Sequence, residues 1–249
     1  MKIAIGFFGI TRSLKYTIQS IELNVFNVLK ENNIEYDIFL HTYKLSSYKN
    51  IRTREKPLDN KDIDNEEYKL LNPNYFKIDD QNEIKEKINI TSYRTKSDPW
   101  RTGYNSVDNF ILGCYSKHML TKMIEEREKD KENEYDYIIF MRPDCRYIEK
   151  INIEYLKSVD DTSIITPNFH LFGKYKINDR FAITNRKTYK IYGNLFSHLF
   201  ELSKSRMLHS ETILGYILDT NKVKVKRVQF RFLRIRHDGS IAHDEYWYK

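Results

Sequence analysis

Within the first 43 residues an apolar run, an amphipathic run and a second apolar run follow one another, and this order allows few folds. Lys2 to Phe8 is an apolar segment of strand length. After it, Leu14, Ile18, Ile21, Val25 and Val28 recur at alternating steps of four and three, with Lys15, Gln19, Glu22 and Lys30 between them. That spacing predicts a helix with one face laid on a sheet. Asn32-Asn33 breaks it, and Tyr36 to Leu40 is a second strand, ending at His41-Thr42. A strand, helix, strand unit of this kind wants a right-handed crossover and parallel pairing.

The alternation resumes at Trp100. Val107, Phe110, Ile111, Cys114, Tyr115, His118 and Met119 keep helical spacing, which makes His118 a core-edge histidine rather than a ligand. Tyr137 to Met141 is wholly apolar apart from its tyrosine hydroxyl, the composition of a strand buried on both faces. Ser163 to Thr166 is a further strand stopped by Pro167, and Arg180 to Thr184 another, feeding a helix with Tyr189, Tyr192, Phe196, Leu199 and Phe200 on one face. A last helix starts near Ser210 as N-cap and carries Ile213, Leu214, Ile217 and Leu218. Val223 to Arg236 alternates like a strand but changes phase near Lys226-Arg227, which predicts a bulge or two short strands. From about residue 44 to 98 the apolar pattern fades, broken by Pro57 and Pro73, and an irregular insertion with one short helix near Glu66 to Leu71 is expected. The whole reads as a single α/β domain with a central, mostly parallel sheet flanked by helices, which 249 residues suffice to build.

Charge and cysteine usage limit the partners. The net charge of +7 arises from 42 basic against 35 acidic residues, a modest surplus that favours anions without choosing among nucleotide, nucleic acid and lipid headgroup. Two cysteines, Cys114 and Cys145, make neither a disulfide framework nor a four-ligand zinc site and read as reduced thiols. The stretch Ile3 to Ile10 contains two glycines and meets Arg12 too early for a secretory signal, and no segment has the length of a membrane span. A cytoplasmic location is expected.

Five clusters can carry chemistry. Arg142-Pro143-Asp144 ends the Tyr137 to Met141 strand, where ligands bind in open α/β sheets; the pair is either part of a site or a surface ion pair. Gly6 to Ser13 is a glycine-containing turn that opens into a helix, with Arg12 and Ser13 as donors, although it is neither a dinucleotide fingerprint nor a Walker loop. Asn178-Asp179-Arg180 lines a cleft or makes a turn. His209-Ser210-Glu211 begins a helix, where the macrodipole by itself accounts for the acid. Arg234 to Gly239 offers arginines and His237 after the last strand, or is a basic strand edge.

Taken in this order, the clusters resemble those of short nucleotide-sugar glycosyltransferases of the GT-A (Rossmann-like) fold, most closely a group found in large DNA viruses and some bacteria. The resemblance rests on Gly6-Phe7-Phe8-Gly9 with Arg12-Ser13, Tyr36-Asp37-Ile38-Phe39 with His41-Thr42, Arg142-Pro143-Asp144, Asn178-Asp179-Arg180-Phe181, His209-Ser210-Glu211 and Arg236-His237-Asp238-Gly239. It implies a UDP- or GDP-sugar donor, a glycan or other hydroxyl acceptor, and manganese or magnesium. It implies that Asp144 is the metal-side carboxylate, that Arg142 replaces the first aspartate of the family's Asp-x-Asp motif, and that His237 supplies the compensating ligand. Phe8, Gly9, Arg12, Ser13 and Arg142 would hold the nucleotide; Trp100, Asn105, Asn109, Asn178 and His209 would lie near donor and acceptor. Glu211 would be the catalytic base, with Asp179 as second choice. A viral member would work in the host cytoplasm or the virion. Three other classes stay open: a nucleotidyltransferase, whose Gly-rich first-turn signature with a following Arg and Lys is missing here, a nucleic-acid-binding module using the interleaved Phe230, Arg231, Phe232, Arg234 and Arg236, and an inactive sugar-nucleotide fold serving as a scaffold.

Overall fold

The structure, a computed structural model, describes residues 1–50, 55–59, 62–130 and 134–243. Its strands are β1 (Lys2–Phe8), β2 (Glu35–Lys44), β3 (Tyr75–Asp80), β4 (Tyr137–Met141), β5 (Cys145–Tyr147), β6 (Ser163–Pro167), β7 (Ala182–Asn185), β8 (Lys224–Val228) and β9 (Phe232–Arg234). Seven of them form one sheet in the order β3-β2-β1-β4-β7-β6-β8, and β5 pairs with β9 apart from it. Every neighbouring pair in the large sheet is parallel except those made by β7, which runs against both β4 and β6. The helices are α1 (Ile18–Ile21), α2 (Asn27–Glu31), α3 (Gln81–Lys87), α4 (Asn105–Arg127), α5 (Glu154–Lys157), α6 (Tyr189–Gly193), α7 (Phe196–Ser205) and α8 (Ser210–Thr220).

Both faces of the central strands are covered, which is why their sequences are continuous apolar runs rather than alternating ones. Ile3, Ile5 and Phe7 of β1 and Ile139 and Met141 of β4 enter one core with Leu14, Val25 and Leu29. Ala4, Phe8, Ile138 and Phe140 point the other way, into a core built on Ile111, Leu120, Tyr192 and Leu214. Each large side chain removed from water here contributes roughly 2–3 kcal/mol. The first helical stretch is not uniform: a π-helical turn, Glu22–Phe26, joins α1 to α2. It shifts the inward stripe by one residue, so that Phe26 and Leu29 are buried beside the expected Val25 and Val28.

Several expectations need correction. The insertion is not irregular throughout: Tyr75–Asp80 is a parallel edge strand of the main sheet, followed by α3, whose Asp80 cap accepts N–H bonds from Asn82 (2.8 Å) and Glu83 (3.2 Å). The short helix there is a 3-10 turn, Glu67–Leu71. The helix expected after β7 is two helices with Asn194-Leu195 between them, and Phe200 is 40 % exposed rather than inward. The phase change before Arg236 does mark two short strands, the second of the two expectations, and β8 and β9 lie in different sheets. Among the described residues no helix is long and apolar enough to cross a membrane, and both cysteines are buried and free.

Candidate functional site

The parallel strands β1, β2 and β4 all end at one edge of the sheet. The antiparallel β7 begins there, and the helices that lead into β4 and β8 start there, so segments distant in sequence meet at a cleft of roughly 380 Å³. Of the residues singled out from the sequence, Phe8, Gly9 and Arg12 line it from the turn after β1, and Arg142 and Asp144 from the turn after β4. Trp100, Asn109, Asp179 and Glu211 complete that part of the lining. Gly9 sits at φ 97°, a conformation that side-chain-bearing residues rarely adopt.

Five of the expected residues lie elsewhere. Ser13 is fully buried behind the turn, and its hydroxyl has no hydrogen-bond partner among the described residues. Asn105, in the first turn of α4, reaches the Lys49 carbonyl at 3.3 Å. Asn178 is turn chemistry: its amide donates to the Phe169 carbonyl (3.0 Å) and its Oδ1 accepts the Arg180 N–H (3.0 Å). His209 is the N-cap of α8, the position expected for Ser210, and stacks on Trp100 at 5.2 Å between ring centres. His237 directs Nδ1 at Glu55 Oε1, 3.5 Å away.

Around Asp144 the geometry is that of an ion pair. Arg142 donates Nε to Oδ1 at 2.7 Å and Nη2 to Oδ2 at 2.5 Å, a bidentate fork. Asp144 is only 5 % exposed, and burial alone would raise its pKa; the Arg142 guanidinium, with Arg12 and Arg234 beyond it, holds it well below the usual carboxylate range. Arg234 is brought there by the β5–β9 pair, in which Cys145 faces Arg234 and the Ile235 N–H donates to the Asp144 carbonyl at 2.8 Å.

Asp179 and Glu211 form the second acidic feature. Burial would raise Asp179, but Arg180, Lys117 and Arg142 together keep it ionised and its pKa low. Glu211 is shifted the other way, upward, by burial first and by the negative charge of Asp179 second, against a 2.5 Å hydrogen bond from the Ser210 hydroxyl. Two neighbouring carboxyls with opposed pKa shifts are a recurrent acid and base arrangement.

Three contributors went unrecognised in the sequence. Lys117 is 3 % exposed, its ammonium 5.2 Å from the Phe8 ring centre and 4.7 Å from that of Tyr192. Nothing marked it, because it stands on a helix whose apolar periodicity drew attention to its neighbours. Tyr48 presents its ring to the Arg12 guanidinium at 3.9 Å, and Glu55 pairs with Arg12 at 3.2 Å and Arg236 at 3.4 Å. Both belong to the supposed irregular insertion. A glutamate and an aromatic within a charged, Pro-broken stretch give no periodic signal.

The implied manganese or magnesium does not fit these residues. Both oxygens of Asp144 are engaged by the Arg142 fork, and His237 is turned to Glu55. Among the described residues no three His, Cys, Asp or Glu side chains are grouped to hold a metal ion. Six Arg and Lys side chains against three carboxyls line the cleft, a charge balance that attracts anions and repels cations.

Fold and cleft together define an α/β protein with an anion-attracting site at the carboxyl ends of its parallel strands. The chain belongs to the family described as Domain of unknown function (DUF7796), whose model matches residues 1–238. No curated protein matches it. Similar solved structures include a glycosyltransferase involved in the glycosylation of the major capsid of PBCV-1, at 10% identity and TM-score 0.41, covering 91% of this chain and 80% of that one. Another is the galactosyltransferase LgtC in complex with donor and acceptor sugar analogues, at 10% identity and TM-score 0.45, covering 90% of this chain and 73% of that one. A third is the apo form of the glycosyltransferase GlyE of Streptococcus pneumoniae TIGR4, at 9% identity and TM-score 0.41, where 90% of this chain covers 44% of that one.

Proposed function

We propose that the protein is a glycosyltransferase that moves a sugar from a UDP- or GDP-linked donor to a hydroxyl acceptor. The observation that carries this reading is a carboxyl pair with opposed pKa shifts, Asp179 and Glu211, inside a cleft lined by cations. The cations suit a diphosphate. Trp100, which lines the cleft and is backed by the His209 ring, gives an aromatic face for a sugar ring, and Glu211, whose pKa is raised by burial and by Asp179, suits the role of proton acceptor. In the transfer the acceptor oxygen forms its bond to the anomeric carbon while the bond from that carbon to the diphosphate oxygen breaks. The electron pair leaves on the diphosphate and the hydroxyl proton passes to Glu211.

The nucleic-acid reading loses its support, since Phe230 and Phe232 are 0 % and 1 % exposed and cannot stack on bases. Incubation with a panel of UDP- and GDP-sugars and a mixed acceptor pool, with release of nucleoside diphosphate as readout, tests the proposal. Acceptor-dependent release from one donor is the expected result. Binding of a sugar nucleotide with no release from any donor would return the protein to the scaffold reading.

A further inference from the structure

We infer that the diphosphate is held by side-chain cations, chiefly Arg142 and Lys117 with Arg12 at the rim, and that no divalent metal takes part, Asp144 being the positioning residue for Arg142. This rests on the sugar-nucleotide reading and adds to it the chemistry of the phosphate site.

The first observation is the use of Asp144. A carboxylate that serves a metal must present an oxygen lone pair to the ligand side, whereas here both oxygens are held by Arg142 at 2.7 and 2.5 Å. The fork uses two of the guanidinium N–H donors, and the others belong to a side chain that is 35 % exposed in the cleft lining. Asp144 thus fixes the plane of Arg142 and leaves it donors for a phosphate oxygen.

The second observation is Lys117. A buried ammonium costs free energy unless an anion accompanies it. Asp179 is near enough for the ammonium to lower its pKa but, among the described residues, no carboxylate lies within the 4.0 Å of an ion pair, and Lys117 rests on the rings of Phe8 and Tyr192. A ligand phosphate would complete the arrangement. The third is Arg12, whose side chain is 6 % exposed and whose Nε is buried with no hydrogen-bond partner among the described residues. Arg12 lines the same cleft, so its charge acts on the same end of the ligand. A divalent ion placed among these cations would be repelled by each of them.

The test is a calorimetric titration of the full chain with inorganic pyrophosphate, UDP and GDP, run once with excess EDTA and once with manganese. A nucleoside diphosphate is expected to bind with affinities that agree within about threefold in the two conditions. Lys117→Met should weaken pyrophosphate binding by about tenfold or more, and Lys117→Arg should restore most of it, which separates a lost contact from a lost fold. Asp144→Asn discriminates in sign: the amide oxygen still accepts one guanidinium N–H and keeps Arg142 in place, while the negative charge beside the phosphate is removed, so pyrophosphate affinity should be unchanged or rise. Binding that appears only with manganese and disappears in Asp144→Asn would overturn the inference while keeping the sugar-nucleotide reading. Pyrophosphate binding in EDTA with neither nucleotide bound would do the reverse, and no binding of any probe would overturn both.

Discussion

The Ser116 hydroxyl, midway along α4, accepts the Gly9 N–H at 2.9 Å and so ties the first turn of the cleft to the helix behind it. The same oxygen lies 2.9 Å from His41 Nδ1, and His41 Nε2 lies 3.1 Å from Asp79 Oδ2. A serine, a histidine and an aspartate in hydrogen-bond sequence resemble a nucleophilic triad, but Ser116 is fully buried and bound to backbone. The chain of bonds is framework. It fastens the turn to edge strand β3 through β2. Ser116→Ala should therefore leave the Gly9 N–H and His41 without their partner, cost about 1–3 kcal/mol in urea unfolding, and weaken nucleotide binding through the loosened turn. An unchanged unfolding midpoint would show that the turn holds itself.

His41 gives the pH dependence. Burial first lowers its pKa, with Lys77 adding to the effect, and the bond to Asp79 opposes both. A histidine depressed in the folded state contributes stability that is present above its unfolded pKa, near 6.5, and is lost as pH falls from there toward the folded value. Asp79, held low first by its hydrogen bond to His41, keeps its charge across that window. Urea unfolding at pH 7.5 and 5.5 should show lower stability at the acid value, and His41→Gln should flatten the difference.

Glu211→Gln keeps the size of the side chain and removes the proton acceptor. Turnover should fall by roughly a hundredfold or more while donor affinity stays nearly unchanged. Because folding raises the Glu211 pKa, its contribution to stability is present in acid and lost as pH rises through the folded value, so the neutral glutamine should not destabilise at pH 7. A helix-end charge acting only on the macrodipole predicts the opposite, up to about 1 kcal/mol lost and turnover kept. In Asp179→Asn one of the two causes that raise Glu211 is gone, and the acid limb of the rate profile should move to lower pH.

Arg12 is held between the Tyr48 ring at 3.9 Å and Glu55 at 3.2 Å. Arg12→Ala removes one partner from a carboxylate whose side chain is only 4 % exposed but which keeps Arg236 at 3.4 Å, and should cost about 1–3 kcal/mol. Arg12→Lys keeps the charge and loses the planar contacts, so nucleotide affinity should fall more than stability does. Calorimetry beside thermal unfolding separates the two.

Gly193, the last residue of α6, packs against α4 with no room to spare. A Cβ there would sit 1.9 Å from Thr121 Oγ1 and 3.2 Å from Phe140 Cζ. Gly193→Ala should push the helices apart and destabilise by about 1–3 kcal/mol. A variant as stable as the parent would mean that Thr121 turns away at little cost.

The sequence was most legible where burial is complete. Tyr137 to Met141 announces β4 because both its faces lie in the core, and β1 and the body of β2 read in the same way. Strand β3 was not legible: it is an edge strand of half-exposed residues ending in two aspartates, so no apolar run marks it, although Asp80 three residues before Glu83 is a capping signal for the helix behind it. The reversal at β7 has no local signature, since direction is decided by what the strand pairs with. Of the residues singled out at strand ends and helix starts, Phe8, Arg142 and Glu211 line the cleft, whereas Asn105 and His209 do not. Lys117 was not found from the sequence, because a lysine on a buried helical face differs from a surface lysine only in what packs over it.

Arg12 follows the first strand of the chain, while Arg234 and Arg236 arrive with the last, and the β5–β9 pair is what brings the two ends together beside Asp144. During synthesis the first strands and α4 emerge and can begin to pack well before β9 exists. A nascent chain therefore begins its core before it can complete its cleft. A polypeptide released short of β9 would lack Arg234 and Arg236 and, with them, Phe232, which is 1 % exposed and packs on Tyr147 and Phe169, so the same loss opens the site and uncovers part of the core.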